Sequence, residues 1–277
     1  MVKNTPRLKS LLHVCAGCHT FGLRRGILST HHGEYGWRQS AEKYPELVLD
    51  DQGLCKDCAI VRVSLVCTVH EEMGLANVSE LYAILERIQP EVIFLEVPPS
   101  AFGDFYENCS QQNLESMAVR QYRQRRQVKI VPVDLPTPAR EFFENHEQMR
   151  ETIRAESAEF RQLLGSERAH VRTYGFFYLN SEHYSKLTAD LDAEMLRTIK
   201  RLGNCRLGEI FESGKEKDDL REKKMMQNIQ KYCRENTFDK GVFLVGAAHR
   251  QAIIEISREQ SGIQWDFDGH SNHQGDA

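Results

Sequence analysis

IVRVSLVCTVHEEMG, residues 60 to 74, joins an apolar run to a group of polar side chains with no turn residue between them. Its first seven residues are dominated by Ile, Val and Leu, which is typical of a strand buried in a sheet. His70, Glu71 and Glu72 follow shortly after that run. The stretch therefore predicts a buried strand that ends by presenting an imidazole and carboxylates.

Downstream of this stretch, strand patterns alternate with helix patterns. The segment NVSELYAILERI has apolar residues at helical spacing, with Asn77 as its N-cap and Glu80 three residues further on. Further strands are predicted at 90–97, 128–134, 241–249 and 263–267, and further helices at 114–126, 137–164, 217–235 and 250–260, with an amphipathic run at 190–202. TYGFFYL, residues 173 to 179, fits either a strand or a buried helix. The alternation predicts an α/β fold, a mainly parallel sheet flanked by helices.

Size and charge restrict the class of protein. The chain has 277 residues, of which 27% are charged, and a formal net charge of -4. This balance gives no electrostatic reason to expect nucleic acid or an anionic membrane as a main partner. Its apolar runs are too short to span a bilayer, and its N-terminus is a poor signal peptide. We expect a soluble, cytoplasmic protein with a small module at 1–58, an α/β domain at 59–268 and a disordered tail at 269–277.

Four of the predicted strands end in side chains suited to metal binding or acid–base chemistry: His70, Glu96, Asp134 and His249. Because parallel strands end at one edge of their sheet, these side chains are expected to converge. Two histidines and a carboxylate suit Zn, Mn or Co with positions left open for water, so His70, Glu96 and His249 are the predicted ligands of a catalytic divalent ion. Taken singly, each residue could also be a helix cap, a turn residue or a loop residue, and it is their convergence that favours function.

Three further residues complete the predicted chemistry. Glu71 is the candidate that would carry a proton for a metal-bound water, with Glu72 as the other possibility. Arg221 begins an apolar helical stripe. It therefore lies either along the edge of the core or in a polar pocket, where it would stabilise an oxyanion. Asp134 is counted with these catalytic residues.

Four segments follow, in order, the motifs of a known group of proteins. VSLVCTVHEEMGLANVSELYAILERIQPEVIFLEVPPSAF resembles a strand with GTxH, a helix, and a strand ending in Glu. VPVDLPTPARE lies where proteins of this group have a strand that ends in Asp-Arg. LREKKMMQNI is similar to their later helix with an ERN motif, and VFLVGAAH is similar to their second GxxH motif. Over about residues 60 to 256 the chain thus resembles the TraB/PrgY/GumN and Tiki group of the EreA/ChaN-like superfamily.

The resemblance implies an α/β fold and, from the Tiki proteins, a metal-dependent protease that uses both histidines and the glutamate. Two positions depart from the pattern, because Cys67 replaces a Gly and Glu222 replaces an Asn. These departures favour a protein without catalysis, whereas the complete second GxxH and the strand-end carboxylates favour an enzyme. We expect a metal-dependent, peptidase-like hydrolase that acts on a peptide or protein. ChaN-like relatives bind haem, so the alternative is a non-catalytic protein of this fold that captures a peptide or haem.

The N-terminal module contains two CxxC pairs, formed by Cys15 and Cys18 and by Cys55 and Cys58. Four thiolates from two such pairs satisfy tetrahedral zinc, so the module is predicted to resemble a zinc ribbon with one structural Zn. A redox CxxC or unpaired buried cysteines are the other interpretations. A zinc ribbon would open a third functional class, in which this module docks another macromolecule.

Overall fold

A computed structural model of the chain describes residues 12–14, 21–24, 48–49, 61–260 and 262–267. The first three segments are strands β1 (Leu12–Val14), β2 (Phe21–Arg24) and β3 (Val48–Leu49). β2 pairs with β1 in antiparallel and with β3 in parallel orientation. The predicted disordered tail at 269–277 lies outside the described residues. The four predicted ligands of the structural zinc also lie outside them: Cys15, Cys18, Cys55 and Cys58.

The main sheet has five parallel strands, as the sequence predicts. They are β4 (Val61–Thr68), β5 (Val92–Leu95), β6 (Lys129–Pro132), β7 (Lys240–Gly246) and β8 (Ile263–Asp266), in the order β6-β5-β7-β4-β8. All of β4 except Arg62 and all of β5 are buried, which is why their sequences are almost continuously apolar. Because β7 lies between β4 and β5, the ends of these three strands are neighbours, and Thr68 pairs with Gly246.

Seven α-helices of the described range surround this sheet and continue beside it. They are α1 (Val78–Ile88), α2 (Leu114–Arg123), α3 (Arg140–Glu156), α4 (Ala158–Leu179), α5 (Glu182–Leu202), α6 (Cys205–Glu235) and α7 (Arg250–Ser257). The predicted cap of α1 is confirmed, since the Asn77 side chain accepts a hydrogen bond from the Glu80 N–H at 3.0 Å. A second apolar core joins α3, α4, α5 and α6 away from the sheet.

The single helix predicted over 137–164 is wrong, because Ser157 divides it. Ser157 is extended (φ -121°, ψ 117°) and its hydroxyl caps α4 by accepting from the Phe160 N–H. The same hydroxyl donates to Glu194 at 2.6 Å, so the break is fixed by a buried contact with α5. TYGFFYL is helical rather than a strand and contains a second break at Gly175 (φ 54°, ψ -133°). α6 also begins earlier than predicted, at Cys205.

The loop that follows β4 is fixed against α4 by two glycines. Gly74 has φ 58°, and a Cβ there would lie 2.4 Å from the Arg172 carbonyl oxygen. A Cβ on Gly175 would lie 2.6 Å from the Leu75 carbonyl oxygen. The Leu75 N–H donates to the Arg172 carbonyl at 3.0 Å. The backbone of the loop therefore packs directly against the backbone of α4, and this contact fixes the conformation of the chain that follows His70.

The end of β4 is completed by a side chain. β8 pairs only with the first half of β4, Val61 to Ser64. Further along, the Asn180 side chain accepts from the Cys67 N–H at 2.7 Å and donates to the Cys67 carbonyl at 3.0 Å. The Asn180 amide therefore satisfies the backbone of β4 just before the strand reaches its polar end.

Candidate active site

Arg221, on α6, lies between the carboxylates that follow β5 and β6. Its Nη2 donates to Glu96 Oε1 at 2.5 Å and to Asp134 Oδ2 at 2.8 Å, and its Nε also reaches Asp134. Its Nη1 donates to Asp218 at 3.3 Å. A guanidinium has five N–H groups, so one N–H of Nη1 remains without an acceptor among the described residues. Of the two positions that the sequence allowed, Arg221 takes the polar pocket.

His249, which follows β7, is buried between two glutamates. Its Nδ1 lies 2.7 Å from Glu222 Oε1, and its Nε2 lies 3.3 Å from Glu96 Oε1. Carboxylates only accept, so both ring nitrogens carry a proton. Burial alone would lower the pKa of His249, but Glu222 and then Glu96 outweigh it and raise that pKa to about 10. His249 is therefore a fixed positive charge at neutral pH.

Glu96 is the centre of this ion-pair cluster. Besides Arg221 and His249, it accepts a hydrogen bond at Oε2 from the Gly246 N–H at 2.5 Å. Burial would raise the pKa of Glu96, but His249, Arg221 and the Gly246 N–H lower it to about 2. A Cβ on Gly246 would lie 3.2 Å from Glu96 Oε2, so glycine permits this close approach.

His70 differs from His249 because it is open to solvent, with 64% of its side-chain surface exposed. Its Nδ1 lies 3.1 Å from Glu115 Oε1, which also accepts from the Thr68 hydroxyl at 2.7 Å. The hydrogen bond to Glu115 raises the pKa of His70 to about 8, against the smaller, opposing effect of the partial desolvation of the ring on its Glu115 side. Glu96 and Arg221 also act on this pKa, so His70 lies within the field of the ion-pair cluster.

Glu115 and Glu222 are the two partners of these histidines that sequence reasoning missed. Glu115 lies in the first turn of α2, where an acidic residue is ordinarily explained by the helix dipole. It is buried, and its Oε2 has no hydrogen-bond partner among the described residues. A buried polar atom left unsatisfied is a signal of function that only the structure supplies. In the sequence, Glu222 stands out only as a departure from a family motif.

Tyr106 is a third residue near this site that sequence reasoning did not select. It lies in a π-helix, Gly103–Glu107, and stacks on Phe102 with ring centroids 5.3 Å apart. Burial and then the charge of Glu115 raise the pKa of its hydroxyl above the ordinary value. Irregular π turns are frequent at functional sites, and this one brings Tyr106 within electrostatic reach of Glu115.

The two glutamates next to His70 do not contact the cluster. Glu72 accepts a hydrogen bond from the Val78 N–H at 2.9 Å and so caps α1. Glu71 is exposed and makes no hydrogen bond or ion pair with any residue that the structure describes. The role of Glu71 as a proton carrier therefore stays a prediction from the sequence.

The predicted metal ligands His70, Glu96 and His249 lie at this edge of the sheet, but two of them are bound to other side chains. Within the described ranges, no group of three or more His, Cys, Asp or Glu side chains is arranged to hold a metal ion. Both ring nitrogens of His249 face carboxylates, and Glu96 is bound to the Arg221 guanidinium. As placed, the residues do not fit a three-ligand metal site, because a ligand must offer a free lone pair. A catalytic metal stays a prediction from the sequence.

The structural zinc site of the N-terminal module is not tested by this geometry. Its four predicted ligands fall between or beyond the short described segments that form β1, β2 and β3. A structural Zn therefore stays a prediction from the spacing of Cys15, Cys18, Cys55 and Cys58.

An apolar groove of about 470 Å³ lies elsewhere, between α4 and α5. Tyr174, Phe177 and Leu187 are among its lining residues, and none of the strand-end residues is. The cavity and the polar cluster are therefore separate features, and the chemistry identifies the candidate site.

Comparison with known proteins does not place the chain in a family. No protein-family model, curated protein or solved structure matches it. The likeness to the TraB/PrgY/GumN and Tiki group remains a prediction from motif order, whereas the α/β class rests on the sheet itself. Among the helices that the structure describes, none is long and apolar enough to cross a membrane.

Proposed function

We propose that the protein is a hydrolase of amide or ester bonds, that its substrate is a peptide or protein, and that its active site is the strand-end cluster. The observation that carries this proposal is the pairing of the exposed His70 with the buried Glu115. A carboxylate on Nδ1 fixes the tautomer and orientation of an imidazole and leaves Nε2 to take a proton from water. This is the arrangement of a general base.

The reaction begins when His70 Nε2 takes a proton from a water molecule whose oxygen attacks the substrate carbonyl carbon. Glu115 stabilises the imidazolium that forms, in the same way as it raises the pKa of His70. His70 then returns the proton to the leaving nitrogen or oxygen, so the protons balance over the cycle. Because its pKa is about 8, the neutral, basic form of His70 becomes abundant only in mildly alkaline solution.

The negative charge that develops on the carbonyl oxygen is assigned to Arg221. The N–H of Nη1 without an acceptor supplies a donor, while Glu96, Asp134 and Asp218 hold the guanidinium in place. A donor fixed in advance in a partly buried site stabilises such an oxyanion without reorganisation. Arg221 influences the pKa of His70, which supports a common site for the base and the donor.

The divalent metal predicted from the sequence enters no step of this mechanism, since His249 and Glu96 are occupied by other partners. A metal-dependent form of the same hydrolase is therefore an outcome of the test. One observation favours the non-catalytic alternative, a binding protein of the same fold. Glu96, Arg221 and His249 satisfy one another in a closed network, as in a structural ion-pair cluster.

The test is hydrolysis of a panel of peptides and activated esters by the full chain between pH 6 and 9, with a chelator and with added Zn, Mn or Co. We expect activity that survives chelation and falls by roughly 10²- to 10⁴-fold in His70→Gln. His183→Gln changes an exposed histidine outside the cluster and is expected to keep wild-type activity. Activity that disappears on chelation and returns with metal would make the general-base mechanism wrong. No hydrolysis of any substrate would favour the binding protein.

A further inference from the structure

Arg250, the residue after His249, has a buried positive charge without a partner in the described part of the chain. It is 7% exposed, donates no hydrogen bond and forms no ion pair there. An arginine cannot release its proton to avoid burial as a cation. Buried charges in proteins are normally paired, so an unpaired guanidinium indicates that a partner comes from outside the chain.

The position of Arg250 adds a second, independent feature. It is the first residue of α7, and His249 before it makes no side-chain cap for that helix. α7 continues directly from a 3-10 turn, Ala247–His249, and the Arg250 N–H is already bonded to the Ala247 carbonyl. What this position offers an anion is therefore the positive end of the helix dipole. Arg250 and this turn follow directly from the end of β7, so they lie at the same edge of the sheet as Glu96 and His70.

The neighbours of Arg250 do not neutralise it. Arg250 lowers and Glu96 raises the pKa of the Cys67 thiol, so the two charges act on the same buried group. Burial raises the pKa of Cys67 to about 12, so this thiol is neutral and cannot serve as the counter-ion. Glu96 and Glu222 are bound to Arg221 and His249 instead. The nitrogens of Arg250 are not among the fully buried unpartnered atoms, so the guanidinium keeps a small contact with solvent although the residue is buried.

We infer that the Arg250 guanidinium binds an oxyanion, a carboxylate or phosphate group carried by the ligand of the strand-end site. A guanidinium pairs with either group through two parallel hydrogen bonds, which gives direction as well as affinity. The anion would restore the charge balance around Arg250 and orient the rest of the ligand toward His70. Only the description of this ligand as a substrate rests on the proposed hydrolase.

Thermal unfolding and titration calorimetry with inorganic phosphate and with acetate test the site directly. Chloride at matched ionic strength is the reference. We expect phosphate, acetate or both to raise the wild-type melting temperature above that in chloride, which also distinguishes the two sources of oxyanion. Arg250→Met should bind the effective anion about tenfold more weakly or worse, because it lacks the charged donor. Arg258→Met removes an exposed arginine of the same segment and should bind like the wild type.

A folding defect would not hide the result. Arg250→Met removes an unpaired buried charge, so without anion we expect it to melt at the wild-type temperature or above. Equal anion-dependent stabilisation of the wild type and Arg250→Met would overturn the inference, as would the absence of any stabilisation of the wild type. If an anion binds through Arg250 but no substrate is hydrolysed, the site stands and the proposed function fails.

A second arm addresses the substrate. Peptides with a free C-terminal carboxylate are compared with the same peptides amidated, and phosphorylated peptides with unphosphorylated ones. The wild type should show a KM about tenfold lower for the anionic member of one pair, and Arg250→Met should lose this preference. Equal KM values for both members of each pair, in an enzyme that is active, would show that the anion is not part of the substrate.

Discussion

His70 and His249 follow neighbouring parallel strands, and each is hydrogen-bonded through Nδ1 to a glutamate on a helix. Their surroundings are opposite. His249 is buried and has a second carboxylate at Nε2, whereas His70 is exposed and its Nε2 has no partner in the described structure. The same residue type with the same kind of partner therefore supplies a permanent charge in one place and an exchangeable proton in the other.

The comparison teaches that the second nitrogen decides the role of a histidine. Where both nitrogens donate to carboxylates, the imidazolium is stabilised far above neutral pH and holds the structure together. Where one carboxylate orients the ring and the other nitrogen meets solvent, the pKa stays close enough to neutral for proton transfer. Four measurements would separate these roles, beginning with the largest expected effect.

Glu222→Gln should lower the free energy of unfolding by about 3–5 kcal/mol, because it removes one member of a buried charged pair. Urea denaturation of the wild type and the variant measures the difference. Glu144→Gln is the control, since its exposed ion pair with Arg140 should contribute only about 0.5 kcal/mol or less. Equal losses in both variants would mean that Glu222 does not hold His249 as described.

The free energy of unfolding should depend on pH because the buried His249 holds a proton in the folded state. The pKa of His249 is 6.5 when unfolded and about 10 when folded, so its contribution is fully present below pH 6.5 and is lost as the pH rises through 10. One such proton changes the free energy of unfolding by at most about 1.4 kcal/mol per pH unit. Denaturation of the wild type between pH 6 and 10 should show this decline, and His249→Gln should flatten it. If His249→Gln shows the same decline of stability with pH, the decline comes from other ionisable groups.

The rate of hydrolysis should depend on pH through the protonation of the exposed His70. In the wild type, kcat/KM should rise with pH and level off above an apparent pKa of about 8, because only neutral His70 accepts a proton. Glu115→Gln removes the main cause of the raised pKa, so the midpoint should move down toward 6.5. An unchanged midpoint in Glu115→Gln would show that another group controls the rate.

Glu72→Gln should have the smallest effect. Glu72 accepts from the Val78 N–H at the start of α1, so its replacement should lower stability by about 0.5–1 kcal/mol. It should leave kcat/KM unchanged, since Glu72 makes no contact with the strand-end cluster. Thermal unfolding measures the change in stability, and the hydrolysis assay measures kcat/KM. A large loss of activity would show that Glu72 takes part in catalysis after all.

Much of the sheet could be predicted because its central strands β4, β5 and β7 are apolar segments, and burial on both faces leaves a plain signal in the sequence. The break at Ser157 could not, since it depends on the contact with Glu194, far away along the chain. The residues of the candidate site divide in the same way, into those that a local pattern predicts and those that depend on tertiary contacts. Strand ends point to His70, Glu96, Asp134 and His249, whereas Glu115 and Glu222 sit on helices whose faces are set only by tertiary packing. No local pattern distinguishes them from surface glutamates.

The Asn180 amide also affects how the protein behaves toward other chains. Beyond Ser64, β4 has β7 on one side only, and its other side is a short strand edge that lies buried at the end of α4. Free edges recruit strands from other molecules and are a common start of aggregation. At Cys67 that position is already taken by Asn180, whose side chain satisfies the N–H and the carbonyl together. The Asn180 amide thus prevents the strand of another molecule from pairing with β4 close to the exposed His70.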